Sequence, residues 1–212
     1  MTESAATPLA IYLPDEWWIV DVRSKRARER SIAALVARQV GRGDDRAALR
    51  AEVRAALGRQ ARDAARAGAF LLAISLMQVG DVRLPAALAI YRVPRSGGGE
   101  LEALERAFAG EPSTDLELVV ADRGSLLRRT WVDRSAPDPP MPDARALRAD
   151  YWMDLTGADE IVLLTFSTPL VDAAEAFLDL FDTIVDSVDV QSDTHSDTPS
   201  DTHSDTVAEE HA

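Results

Sequence analysis

Apolar positions recur along this chain with two rhythms, a two-residue alternation and a three-to-four-residue stripe. Runs 11–13 and 17–22 read as extended, interrupted by Pro14-Asp15, and Trp18, Val20 and Val22 share one face at the strand period. Ser24 can cap a helix to about residue 39, because Ile32, Leu35, Val36 and Val40 form one helical stripe. After a turn at 42–45, Asp44 or Asp45 can cap a second helix that packs along Leu49, Val53 and Leu57 and ends at Gly68.

Two apolar stretches, 69–79 and 84–93, then flank Gly80-Asp81 and predict neighbouring strands. Leu101, Leu104 and Phe108 indicate a short helix. Strands follow at 115–121 and 125–132, and again at 145–155 and 160–166. The four prolines within 135–143 place a loop between these two pairs. Thr168-Pro169 predicts a cap with proline at the first helical position. The helix beyond it is strongly amphipathic. Val171, Ala174, Phe177, Leu178, Phe181, Ile184, Val185 and Val188 fall within roughly 140° of arc, and Asp172, Glu175, Asp179, Asp182 and Asp186 within roughly 80° elsewhere.

The strand-to-helix phrase Leu163-Leu164-Thr165-Phe166-Ser167-Thr168-Pro169, leading into Phe177-Leu178-Asp179-Leu180-Phe181-Asp182-Thr183-Ile184, resembles the end of small actinobacterial PsbP-like proteins. The opening Pro14-Asp15-Glu16-Trp17-Trp18 is similar to their start. This resemblance implies an α/β (α+β) domain with a mainly antiparallel sheet and helices on both faces, as in PsbP and the Ran-binding Mog protein. It further implies action by binding other proteins. No catalytic motif comes with it, and fold alone does not fix function.

Charge changes the picture at the C-terminal end. Of 36 acids in 212 residues, seven lie in 189–212, which holds no base and repeats Ser-Asp-Thr-His or a close variant. Such composition cannot offset the entropy of ordering, so the chain is expected to divide into one domain, 1–188, and a disordered acidic tail, 189–212. All three histidines, His195, His203 and His211, sit in that tail, and the chain has no cysteine. Thiol nucleophiles, cysteine-bound zinc and a Ser–His–Asp relay within the domain are therefore excluded. Gly97-Gly98-Gly99 matches neither a phosphate loop nor a dinucleotide fingerprint, and no cofactor is expected. Residues 1–8 carry no leader pattern and the longest apolar run is six residues, so a cytoplasmic protein without a membrane span is expected.

Residues 23–66 carry 13 bases against five acids. In the second helix Arg46, Arg50 and Arg54 border its apolar line, whereas Arg59, Arg62 and Arg66 point together to the opposite side. These three are candidates for docking an acidic partner, against the plainer reading that cations suit a helix C-terminus. Asp172, Glu175, Asp179 and Asp182 form a second candidate surface, unless the stripe lies beside the arginine helices and the two neutralise each other. Trp17-Trp18 and Tyr151-Trp152 read as core before they read as binding edges.

The expected function is that of a noncatalytic interaction or accessory protein whose partner is another protein. A carboxylate- and divalent-metal-dependent enzyme with an unlocated site is the alternative. Nucleic-acid binding through the arginine helices is third, opposed by a net charge of −13. Homo-oligomerisation is left open.

Overall fold

The computed structural model describes residues 8–41, 43–134 and 145–190, with Asp44 as backbone alone. Arg42, the proline-rich 135–143 and the repeats of 191–212 lie outside the described residues. The elements are, in order, β1 (Leu9–Ala10), β2 (Trp17–Val20), α1 (Lys25–Val40), α2 (Ala47–Arg66) and β3 (Leu71–Ser75). The two-residue strands β4 (Gln78–Val79) and β5 (Val82–Arg83) follow, then β6 (Ala87–Pro94), α3 (Glu100–Phe108), β7 (Thr114–Ala121) and β8 (Gly124–Asp133). Last come β9 (Ala146–Leu155), β10 (Glu160–Thr168), α4 (Ala174–Asp186) and β11 (Asp189–Val190).

One seven-stranded sheet, ordered β2-β3-β6-β10-β9-β8-β7 and antiparallel throughout, carries the fold. Strand alternation divides its side chains between two faces. On one face Ala149, Tyr151, Leu164 and Phe166 meet Phe177, Phe181, Ile184 and Val185 of α4. On the other face Val20, Val22 and Leu72 pack with Ile32, Val36 and Val40 of α1 and Ala61 of α2. Farther along that same face, Leu101 of α3 covers Leu127, Trp152 and Ile161. This is the expected mainly antiparallel sheet with helices on both sides.

The tryptophan and tyrosine pairs separate by the same alternation. Trp17 is buried with the α4 core, whereas half-buried Trp18 faces the α1–α2 side, where its Nε1 donates to Ser31 Oγ at 3.3 Å. Tyr151 lies under α4 and Trp152 under α3.

Several local expectations are corrected. Thr168 does not cap α4; it ends β10, where its hydroxyl donates to Pro85 O and accepts from Leu170 N–H, and α4 starts only after a 3-10 turn at Val171–Ala173. Neither Asp44 nor Asp45 caps α2. The chain passes through a 3-10 turn at Asp44–Arg46, and the cap position falls on Arg46. Leu49 does not pack inward and is 49% exposed. The first strand is Leu9–Ala10 rather than 11–13, and it pairs antiparallel with Asp189–Val190. The N-cap of α1 is as expected, with Ser24 Oγ accepting from Ala27 N–H at 3.1 Å, and Gly68 leaves α2 at a φ of 87°.

Candidate functional site

The α1–α2 hairpin and the residues leading into it hold 13 of the chain's 23 lysines and arginines. Arg46 donates to Val40 O at 3.4 Å and Arg50 to the carbonyls of Gly41 and Gly43, so these two arginines close the interhelical turn. The antiparallel hairpin then brings the C-terminal half of α2 beside the start of α1, with Ala61 packed against Val22 and Ile32. Arg59, Arg62 and Arg66 are all exposed there, and Lys25, Arg26 and Arg30 are exposed on α1. With Arg23 and Arg28 this pole gathers eight cations, against the carboxylates of Asp21, Glu29 and Asp63.

Those carboxylates are already engaged. Asp21 accepts from Arg23 at 2.7 Å, which holds its carboxyl down at about 2; Glu29 lies 3.9 Å from Lys25; and Asp63 lies 3.2 Å from Arg66. The first turn of α1 has no acid at all, although the helix dipole favours anions at that end. Positive charge is thus concentrated at the N-terminus of α1, whose dipole adds to it, and at the C-terminus of α2, whose dipole offsets it.

The acidic stripe is not the neutralising neighbour of these arginines. It lies on α4, on the opposite face of the sheet, so the expected mutual compensation does not occur. Asp172 is almost wholly exposed, 3.9 Å from Arg145, and Glu175 and Asp179 are exposed. Asp182 differs from them. Its carboxylate accepts from Tyr151 Oη at 2.7 Å and from Arg128 Nη1 at 2.8 Å. Burial would lower the Arg128 pKa, but the facing carboxylates of Asp182 and Glu117 raise it on balance. Asp182 is therefore tied into the fold through Tyr151 and Arg128, whereas Asp172, Glu175 and Asp179 face solvent.

A buried polar centre lies between the α1–α2 hairpin and α3. Asp150 is 9% exposed, and burial raises its pKa against the pull of a Thr165 hydrogen bond and of Arg129 and Arg148. Burial and the Asp150 charge together raise the pKa of Tyr91. The Arg129 guanidinium sits 4.1 Å from the Phe108 ring centroid and 4.4 Å from that of Trp131, and pairs with Glu111. Asp150 Oδ1 and Arg129 Nε are buried without a hydrogen-bond partner among the described residues.

The glycine cluster holds a carboxylate of the chain itself. Gly97, Gly98 and Gly99 have φ of 150°, 115° and 74°, and the N–H groups of Ser96, Gly97 and Gly98 donate to Glu100 Oε1 at 2.7, 2.8 and 3.0 Å. Among the described residues no three Asp, Glu, His or Cys side chains gather as metal ligands, and no helix is long and apolar enough to cross a membrane. A groove of about 630 Å³ runs over Leu35, Val53, Leu57 and Ile74, with Arg38 and Arg83 at its rim.

Sequence reading singled out Arg59, Arg62 and Arg66 but passed over the α1 cations and Asp150. The acid-free first turn 25–28 was the available signal for the former. For the latter it was the alternation Arg148, Asp150, Trp152, Asp154, which sets charge on one face of an otherwise apolar strand.

No family model matches this chain, and no curated protein matches it. Among solved structures it is similar to LpqN of Mycobacterium tuberculosis, described as involved in cell envelope biogenesis, with a TM-score of 0.47 and 8% identity over 90% of this chain and 87% of that chain. It is also similar to the cyanobacterial PsbP (CyanoP) of Synechocystis, with a TM-score of 0.41 and 13% identity over 90% of this chain and 96% of that chain.

Proposed function

We propose that this chain is a noncatalytic, cytoplasmic interaction protein that docks an acidic protein segment on the pole formed by the start of α1 and the end of α2. The observation that carries this reading is the accumulation of cations at that pole, on both helices, where the few carboxylates present are already paired. Exposed arginines offer forked donors that match carboxylates, and their charge steers an acidic partner at a distance.

The test is titration of a labelled 20-residue polyglutamate peptide into the full chain and into the triple variant Arg59→Glu, Arg62→Glu, Arg66→Glu. The reading expects at least about tenfold weaker binding by the variant, with unchanged circular dichroism. It also expects weakening from 50 to 500 mM salt, as the Debye length shrinks from about 14 to about 4 Å. Equal binding by both proteins would overturn it. A single-stranded oligonucleotide captured more tightly than the peptide would replace it with nucleic-acid binding.

A further inference from the structure

The seven-stranded sheet ends in two unlike edges. At one edge β2 has only four residues. At the other β7 has eight, Thr-Asp-Leu-Glu-Leu-Val-Val-Ala, in unbroken register with β8 from Thr114 opposite Trp131 to Ala121 opposite Gly124. Among the described residues no strand pairs with the outer side of β7. Edge strands are commonly guarded by shortness, lysine, proline or a bulge. Shortness guards β2, and none of the four guards β7. Its charges are two carboxylates, of which Glu117 is paired with Arg128 at 2.6 Å. Beyond them the strand is apolar and open to solvent, with Val119 42% and Val120 75% exposed.

The direction of the free backbone groups follows from the hairpin. A two-residue turn at 122–123 sets Ala121 and Gly124 facing each other, so residues 115, 117, 119 and 121 turn their N–H and C=O toward β8. Leu116, Leu118 and Val120 turn theirs outward. Side chains alternate as well. Those of Leu116, Leu118 and Val120 share the α3 face, where Leu118 packs against the cluster under α3. Glu117 is on the α4 face, where it shares Arg128 with Asp182.

We propose that β7 pairs antiparallel with β7 of a second copy of this chain, about a two-fold axis at Leu118, so that the two sheets become one. In this register Leu118 meets its own counterpart, and Leu116 meets Val120 of the second copy. Those are the residues whose backbone groups point outward, so each facing pair can exchange both of its hydrogen bonds. Their side chains form an apolar row on the α3 face. On the α4 face Glu117 lies opposite Val119 and Asp115 opposite Ala121, so no like charges face each other. Moving the axis to Glu117 would set two carboxylates directly opposite, which is unfavourable. The self-complementarity of this register favours a second copy over an unrelated strand. The contact is isologous, and because β2 is short the assembly closes as a dimer instead of extending. One strand edge buries less than about 1,200 Å², the range of weak interfaces, so a dissociation constant on the order of 10–100 µM is expected. This proposal is independent of the docking reading.

Sedimentation equilibrium of the full chain from about 5 to about 500 µM spans that range. The average mass should rise toward twice that of one chain. Val120→Lys sets a charge opposite Leu116 of the second copy, and Val120→Pro removes an outward N–H; both alter an exposed side chain and spare the bonds to β8. Each should weaken association at least about tenfold with unchanged circular dichroism. Amide exchange gives a second readout. Protection of Leu116, Leu118 and Val120 should increase with protein concentration, whereas Glu117 and Val119, already bonded to β8, should not change. A wild type that stays monomeric at about 500 µM would overturn the proposal. So would a dimer that both variants form as readily as the wild type, or one that leaves the three outward amides unprotected.

Discussion

Tyr151 Oη donates to Asp182 Oδ1 at 2.7 Å, so a carboxylate on the polar stripe of α4 is tied to a fully buried ring of β9. Burial and this bond together raise the tyrosine pKa strongly, so the phenol acts as a donor throughout the working pH range. Asp182→Ala would leave the hydroxyl buried without its acceptor and Arg128 without one of its two partners. The expected loss is about 1–3 kcal/mol. Asp179→Ala, one helical turn earlier on the exposed side, should be neutral within about 0.5 kcal/mol. Urea denaturation of both variants checks this. Equal effects would mean that Asp182 is as solvated as its neighbours.

Phe181 is the centre of an aromatic cluster. Its ring is fully buried, stacked on Phe166 with centroids 4.4 Å apart and tilted against Phe177 at 5.8 Å. Phe181→Ala removes these contacts beneath a helix whose only large apolar surface faces the sheet. It should destabilise by about 3–5 kcal/mol, a large part of the stability of an ordinary domain. Thermal unfolding should show a fall of many degrees. A change of only one or two degrees would indicate that α4 is not anchored through this ring.

The elements that carry one strong period were legible before the structure. Ile32, Leu35, Val36 and Val40 on α1, and Phe177, Phe181, Ile184 and Val185 on α4, announce their buried faces at helical spacing and occupy them. What depended on distant partners was not legible. Thr168-Pro169 has the local form of a helix start. The threonine hydroxyl instead bonds to Pro85 O, 83 residues away, and the strand continues through it. Asp182 belongs to the acidic stripe by spacing alone, and only the passage of β9 beneath α4 separates it from Asp179. The basic pole likewise requires the hairpin to close, because no single helix carries it.

Asp150 provides a test of the polar centre on the other face of the sheet. Burial raises its folded-state pKa above the usual carboxylate value. A group shifted in this direction contributes stability that is complete below the unfolded pKa, about 3.9, and is lost as pH rises through the folded value. Asp150→Asn keeps the shape and removes the charge. The variant should therefore be more stable than the wild type at pH 7, with the gap narrowing as both are taken toward pH 4. Denaturant midpoints at the two pH values decide the matter. A variant less stable at pH 7 would show that attraction from Arg129 and Arg148 outweighs the burial of the carboxylate.

The linkage has the opposite sign at Glu100. The backbone N–H of Gly98, with those of Glu100 itself, Ser96 and Gly97, lowers its carboxyl from 4.5 to about 2. The charged form is the one the loop holds, since amide donors that converge on one oxygen favour the anion. Support for the start of α3 is thus present above the unfolded pKa of about 4.3 and lost as pH falls through about 2. The three glycines adopt positive φ to aim those amides, so protonation releases a backbone with little else to hold it in that shape. Amide exchange at 96–103 should accelerate relative to the β9 core as pH is lowered from 5 to 2, after correction for intrinsic rates. Glu100→Gln should show accelerated exchange already at pH 5 and no further acid dependence. Direct titration of the Glu100 side-chain carboxyl by NMR gives the decisive number. A midpoint near 4.5 would mean that the glycine loop does not hold the anion, and that its turn is maintained by backbone geometry alone.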